Sequence, residues 1–239
     1  MRLFNKQRFE YMGGKNFKKY LKYASGEIIL VVIGILIAVG INNWNQRKQL
    51  NNANVELKQN IIKQLDKDIE AINVYQKNLD TLQQNYLNYL KTSEDGSNPL
   101  FGNILGSLLF EVNTMDIDTH AITMIDNATL NETKASEKLL DLNSAYKMYL
   151  EEIKSVERLI FTTITENLKE IERTQDWYTE FITNLKCQND CVDYFTNNKQ
   201  HKARIASLRF LYVNGYGQII TALKNDLIGY RKELKAIED

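Results

Sequence analysis

The sequence predicts an all-α protein in which a single N-terminal transmembrane helix precedes an elongated antiparallel helical bundle. The chain has 239 residues but only one proline and 11 glycines, so long helices are seldom interrupted. Apolar residues recur with helical and heptad spacing along most of the chain, as in coiled coils, and no stretch resembles a strand. We therefore expect three long helices, with short helices packed at the tip distal to the membrane.

The membrane helix is predicted from an uncharged run at residues 28–41, in which eleven residues are Ile, Leu or Val. At about −0.3 to −0.6 kcal/mol each, these favour insertion by about 3 to 7 kcal/mol. Aromatic residues extend the span on both sides, with Tyr20 and Tyr23 before it and Trp44 after it. The helix from Tyr23 to Trp44 would measure about 32 Å, close to the hydrocarbon thickness of about 30 Å. Glu27 would lie near enough to this boundary to reach the headgroups.

Charge sets the predicted orientation. Residues 1–27 carry seven Lys or Arg against two Glu, although the whole chain is neutral. A basic segment before an apolar run follows the positive-inside rule and is not expected to bind nucleic acid. We predict a cytoplasmic arm at residues 1–23, a signal anchor in the lipid bilayer at 24–44 and a periplasmic domain at 45–239. The protein would then be a single-pass protein of the bacterial inner membrane.

Two other interpretations of the N-terminus remain open. An apolar run of this length also suits a cleaved signal peptide, and Ala38 with Gly40 would offer a small-x-small cleavage site. The long leader and the helical pattern that continues through Trp44 favour an uncleaved anchor. A pilin-like segment would also place one Glu in an apolar helix, but the processing site and following Phe of pilins are absent here.

The residues around the anchor form a specific motif. Residues 19–38 are KYLKYASGEIILVVIGILIA, and residues 41–45 are INNWN. This motif resembles the N-terminal signature of an uncharacterised bacterial family of single-pass membrane proteins, catalogued as a domain of unknown function. Val39 and Gly40 stand where Leu-Gln would be expected. The resemblance covers about 27 residues; it implies an anchor and an exported helical domain, and it implies no activity.

Three long helices are predicted in the exported domain. The first covers residues 45–93, and the Glu-Asp-Gly-Ser-Asn-Pro break at residues 94–99 ends it. A second is expected from Lys134 to Leu185 with a kink near Thr174, and a third from Lys199 to Ile237. Short helices are expected at residues 100–112 and 118–128, the latter capped by Asp118 or Thr119.

Cys187 and Cys191 are the only cysteines. An oxidising compartment favours a disulfide between them, which would pin the loop at residues 187–198 at the membrane-proximal end. Free thiols and a redox or metal role are the alternatives, although the Cys-x-x-Cys spacing of redox motifs is absent.

The histidines suggest little catalytic chemistry. His120 follows Asp116 and Asp118, so a metal cluster is one interpretation, but aspartates at a helix start more commonly cap it. His201 is expected to be solvated. The sequence contains no Gly-rich phosphate loop, no His-Glu-x-x-His and no Gly-x-Ser-x-Gly. We expect neither an enzyme nor a cofactor.

The function predicted from these features is a non-enzymatic interaction or scaffold subunit with a protein partner in the cell envelope. The alternative is a sensory bundle that binds a small molecule between its helices and signals through a partner, since the short cytoplasmic arm would carry no output domain. Gly34 and Ala38 form a small-x-x-x-small step that would suit a homodimer through the anchor. They are equally explained as small residues in an apolar run.

Overall fold

The protein is all-α. The structure, a computed structural model, describes residues 17–91, 100–184 and 186–238, with side chains described from residue 21 and, after the first gap, from residue 105. The described residues form helices joined by turns and short extended segments, without a strand. They divide into two units, Met1–Asn54 and Val55–Asp239.

A helix of 75 residues, α1 (Phe17–Lys91), supplies the described part of the first unit. Its large apolar side chains between Ile28 and Ile41 are 46–73% exposed. The most apolar 18-residue window has a mean hydropathy of 2.5, and none of it is buried. Within the part of the chain that the structure describes, this is the one helix long and apolar enough to cross a membrane.

The second unit begins within α1 and contains the rest of the helices. These are α2 (Leu100–Phe110), α3 (His120–Asp126), α4 (Lys134–Thr174), α5 (Tyr178–Asn184), α6 (Asp190–Asn197), α7 (Lys199–Phe210), a π-helix (Leu211–Tyr216) and α8 (Gly217–Ala236). The last three follow one another without a break. The predicted apolar stripe of α1 lies in the core, where Leu65, Ile72 and Tyr86 are at most 2% exposed.

Two boundaries differ from the sequence prediction. The second long helix ends at Thr174, and the amide of Gln175 donates to the carbonyl of Ile171 before the chain turns into α5. The predicted kink is therefore a complete break. The segment at residues 187–198, predicted as a loop, contains α6 instead. One face of this helix, which carries Cys191, Tyr194 and Phe195, is buried and stabilises it.

Contacts along α8 run in opposite order to those along α1. Lys58 Nζ donates to the carbonyl of Ile237 at 2.9 Å, Arg231 to Asp66 at 2.6 Å, and Lys224 to Gln76 at 2.8 Å. Gly217 permits this approach, since a Cβ at that position would lie 2.7 Å from Leu79 Cδ2.

Contacts of α4 with the C-terminal helices follow the same opposite order. Lys138 pairs with Glu233 at 3.1 Å, Tyr149 with Asp226 at 2.7 Å, and Asn167 with Arg204 at 2.9 Å. Within the second unit, α1 and α4 therefore run in the same direction past α7 and α8. An additional pass of the chain must connect them.

Residues 111–126 provide this pass, and they show that the second predicted short helix, α3, was wrongly placed at the distal tip. Tyr75 donates to the carbonyl of Asn113, and Gln64 donates to Asp118, so the segment returns along α1. α3 then packs beside α4, where Asn143 donates to Asp126 at 2.7 Å. Because of this return, α4 begins near the Val55 end of the unit.

The return also reverses the predicted position of the cysteine segment. The sequence places that turn at the membrane-proximal end, but α6 lies beside the Tyr89 end of α1, where Tyr89 Oη donates to the carbonyl of Phe195 at 2.7 Å. The prediction was wrong because it allowed only three passes, whereas the chain makes a fourth through residues 111–126.

Candidate functional site

A group of packed rings lies where α5, α6 and α7 meet the Tyr89 end of α1. We call it the aromatic cluster; it consists of Tyr89, Trp177, Phe181, Tyr194, Phe195 and His201. Each of four further elements contributes: the turn after α4 brings Trp177, α5 brings Phe181, α6 brings two rings and α7 brings His201. Apolar spacing along α5, α6 and α7 places the rings of these three helices on buried faces.

Phe195 lies at the centre of the aromatic cluster and is fully buried. Its centroid lies 5.4 Å from that of Trp177, 5.5 Å from that of Phe181 and 5.1 Å from the imidazole of His201. The rings meet at tilted or near-perpendicular angles, which bring ring edges to ring faces. The cluster therefore packs through edge-to-face contacts around Phe195.

His201 is the unusual member of the aromatic cluster, and the prediction that it is solvated was wrong. The residue is 0% exposed, and neither Nδ1 nor Nε2 has a hydrogen-bond partner. Burial, together with the positive charge of Arg204, lowers the pKa of His201 from 6.5 to about 3. The imidazole is therefore neutral at pH 7, with one nitrogen able to donate and the other able to accept.

Two other residues also carry buried polar atoms without a partner, one in the aromatic cluster and one directly after Phe195 in α6. These are Trp177 Nε1, an obligatory donor, and Thr196 Oγ1, which can donate or accept. By contrast, Tyr194 is paired, because Arg204 donates to its hydroxyl at 3.0 Å. Buried polar groups in proteins are nearly always paired, so such a concentration is uncommon. The aromatic cluster therefore combines packed rings with neutral hydrogen-bonding groups that have no partner in the fold.

The disulfide lies beside the aromatic cluster. Cys187 and Cys191 are joined across a Cα–Cα distance of 5.3 Å, and Cys191 is in the first turn of α6. The loop between them holds Asn189 at φ 48°, the one left-handed residue other than glycine in the part of the chain that the structure describes. The disulfide thus fixes the start of the helix that carries Tyr194 and Phe195.

A second buried polar group lies in the middle of α1, and we call it the aspartate cluster: Gln64, Asp68, Asp118 and Tyr146. Gln64 Nε2 lies 2.8 Å from carboxylate oxygens of both aspartates, and Tyr146 Oη donates to Asp68. Burial is the main cause of a raised pKa at Asp68; the bonds from Tyr146 and Gln64 oppose it, Asp118 adds to it and Lys67 lowers it. Here the carboxylate and its donors all have partners.

At the position of the possible metal cluster, the structure shows a helix cap. Asp118 Oδ1 accepts from the amide of His120 at 2.8 Å, so it caps the start of α3, while Thr119 makes no side-chain cap bond. Among the described residues no group of three or more His, Cys, Asp or Glu is placed to hold a metal ion.

The predicted interface residues all lie on α1. Tyr23 is 79% exposed and Trp44 is 65% exposed, with Lys48 Nζ 5.6 Å from the centre of the Trp44 ring. Glu27 is exposed in the same helix, and Tyr20 belongs to it although its side chain is not among those described.

The predicted packing step of the anchor is open on its own helix. A Cβ on Gly34 would meet nothing within 4 Å, and Ala38 is exposed one turn later. The step therefore presents a continuous small-residue surface along α1.

The aromatic cluster was not predicted from the sequence because its residues are distributed over five elements. The spacing of His201, Ile205, Leu208 and Tyr212 is a signal that could have placed His201 on the buried face of its helix. Lysines at positions 199 and 202 hid that stripe by making the first turn polar. No family model, curated protein or solved structure matches this chain.

Proposed function

We propose that the chain is a single-pass protein of the bacterial inner membrane, of the family that its N-terminal signature resembles. Residues 1–23 would lie in the cytoplasm, 24–44 in the bilayer, and 45–239 in the periplasm as an antiparallel helical bundle. The bundle acts as a non-enzymatic interaction or scaffold subunit of an envelope complex.

One observation carries this proposal: the large apolar side chains of residues 28–41 are 46–73% exposed, whereas the second unit buries its own core. Exposure of this run to water is unfavourable, since burying each Ile, Leu or Val is worth about 1.5–3 kcal/mol. A bilayer covers such a helix on all sides. The basic residues before it support a cytoplasmic N-terminus.

The interaction role rests on two features of the second unit, namely aspartates that are paired within the fold and large apolar side chains that are exposed. In the second unit, aspartates 66, 68, 118, 126 and 226 each accept hydrogen bonds within the fold. Large apolar side chains at Leu140, Met148, Leu159 and Phe161 remain 50–60% exposed along α4. A rigid helical surface of this kind suits contact with another protein.

Photo-crosslinking in intact cells tests the interaction role. A benzophenone amino acid is placed singly at Met148, Leu159 and Phe161 on α4, with the exposed Lys63 on α1 as the matched control position. We expect one α4 position to give a discrete heavier band that contains the same partner in repeated experiments. If all positions, including Lys63, give the same bands or none, the interaction role is contradicted.

The aromatic cluster favours a second candidate, a periplasmic bundle that senses a small molecule and signals through a partner. The unpartnered nitrogens of His201 and the indole N–H of Trp177 support this alternative. Native mass spectrometry of the full chain, purified from its own membranes in detergent, distinguishes the candidates. A small non-covalent mass present in the wild type and lost in His201→Phe would favour sensing; the polypeptide mass alone would favour the scaffold role.

A further inference from the structure

Residues 111–119 form an extended segment that crosses the face of the second unit, and we call it the strap. It contains no helix, and no side chain in it is fully buried. Met115 and Ile117 are half-buried against the core, whereas Val112, Asp116 and Asp118 are exposed. The strap therefore contributes little apolar burial, which is the main source of stability in folded proteins.

Tyrosine hydroxyls bind the strap by its backbone. Tyr75 Oη of α1 donates to the carbonyl of Asn113 at 2.8 Å, while the amide of Asn113 donates to Tyr212 Oη at 3.0 Å. The amide of Met115 donates to Tyr216 Oη at 2.8 Å. Both backbone groups of Asn113 are thus satisfied by side chains, one from α1 and one from the π-helix.

The π-helix explains how two tyrosines reach the strap. Tyr212 and Tyr216 are its second and last residues, and both are 0% exposed. In a π-helix the wider turn changes the direction of side chains relative to an α-helix, and such turns are frequent at functional positions. Tyr216 also lies 3.3 Å from both the carbonyl of Met115 and Glu157 Oε1, so its single proton has two alternative acceptors.

The far end of the strap is held by one shared amide. Gln64 Nε2 donates to Asp118 of the strap and to Asp68 of the aspartate cluster, both at 2.8 Å. If Asp118 leaves, Gln64 keeps its bond to Asp68, so the aspartate cluster stays paired. Each attachment of the strap can therefore be exchanged for water without leaving a buried polar group of the core unpaired.

We propose that the strap is a detachable cover that leaves the three tyrosines by local opening while the long helices stay packed. This goes beyond the proposed function, because it identifies a surface that the folded chain hides and can uncover. Detachment exposes the hydroxyls of Tyr75, Tyr212 and Tyr216 together, in an arrangement that already binds extended backbone. Segments with few buried apolar contacts are the ones that open locally in native proteins.

Hydrogen–deuterium exchange of the full chain in lipid nanodiscs tests the proposal. We expect amides of residues 113–117 to exchange at least about 100-fold faster than those of residues 139–149 in α4. Low concentrations of urea should hardly change the rate in the strap, since local opening exposes little surface. A strap protected as strongly as α4, with the same dependence on urea, would overturn the proposal without any variant.

Variants sharpen the test. Tyr212→Phe combined with Tyr216→Phe removes both acceptors of the strap amides and should speed exchange at Asn113 and Met115 by about 10-fold or more, with α4 unchanged. Tyr149→Phe is the matched control, because its hydroxyl bonds Asp226 and not the strap. If the double variant accelerates α4 and the strap together, or if Tyr149→Phe accelerates the strap equally, the strap is not independent and the proposal is wrong.

Discussion

The helix α1 presents the same residue types in two different ways. In residues 28–41 the large apolar side chains are 46–73% exposed around the whole helix, while Ile61, Leu65 and Ile72 of the second unit are at most 2% exposed. The second unit thus contains the partner for its own apolar surface, and the first does not. Apolar residues on every side of a helix indicate a surrounding solvent that is itself apolar. This difference supports the proposal that lipid surrounds the apolar run of the first unit and water surrounds the second unit.

The largest effect is expected from charges placed in the apolar run of the first unit. Replacing Ile33 and Ile37 by Lys places two charges at the centre of the predicted span and should make insertion less favourable by about 6–8 kcal/mol. The variant should leave the membrane fraction after an alkaline carbonate wash, with the helical circular dichroism of the second unit retained. Leu159→Lys, at a 50% exposed apolar position of α4, is the matched control and should stay with the membrane.

Acid should destabilise the second unit through protonation of His201. Its pKa is lowered from 6.5 to about 3 by burial, so the unfolded chain binds the proton first as the pH falls. The free energy of unfolding should therefore fall between about pH 6.5 and pH 3. The pKa difference between the folded and unfolded chain corresponds to about 5 kcal/mol in total. Urea unfolding across this range should show the loss in the wild type.

The variant His201→Phe should remove that part of the acid sensitivity, because no group is left to accept the proton. His120→Gln, at the exposed and only other histidine, should unfold with the wild-type pH dependence. Equal slopes for wild type and His201→Phe would show that His201 is accessible to solvent.

The aspartate cluster should give an intermediate effect. Asp68→Ala leaves Tyr146 Oη buried without its acceptor and removes one of the two acceptors of Gln64 Nε2, so it should lower the free energy of unfolding by about 2–3 kcal/mol. Asp68→Asn keeps an acceptor oxygen and should cost less than half as much. Urea denaturation of both variants measures the difference, and equal losses would mean that the hydrogen bonds to Asp68 carry no stability.

The disulfide should give the smallest effect. It closes a loop with a sequence separation of 4, for which the chain-entropy estimate is about 2 kcal/mol. Replacing both Cys187 and Cys191 by Ser should therefore lower stability by about that amount, with helix content unchanged. Non-reducing mass spectrometry should find a Cys187–Cys191 peptide, whereas complete alkylation without a reductant would contradict the disulfide.

The two regions also differ in how far the sequence predicts them. The apolar run at residues 28–41 is a local property, because its composition can be recognised without knowledge of distant contacts. The helices of the second unit follow from equally local spacing. The return of the strap does not, since its amides are bound by Tyr212 and Tyr216, about 100 residues further along the chain. Without that pass, the sequence placed the cysteine segment at the wrong end of α1.

The burial of His201 was predictable in part. Ile205 and Leu208 follow it at positions that share one helix face, and that face is buried. The rings that contact His201 belong to Tyr89, Tyr194 and Phe195. No spacing within one segment brings these residues together. Side-chain clusters built from several short helices depend on tertiary packing, which periodicity does not encode.

A pair of reporter fusions after Asp239 tests whether the second unit lies outside the cytoplasm, as we propose. One reporter is active only outside the cytoplasm and the other only inside it, and both are assayed in intact cells at matched expression. The account predicts activity of the external reporter alone, with the full-length fusion retained in the membrane fraction. Activity of the internal reporter alone, or release of a fragment beginning near Ile41, would contradict it.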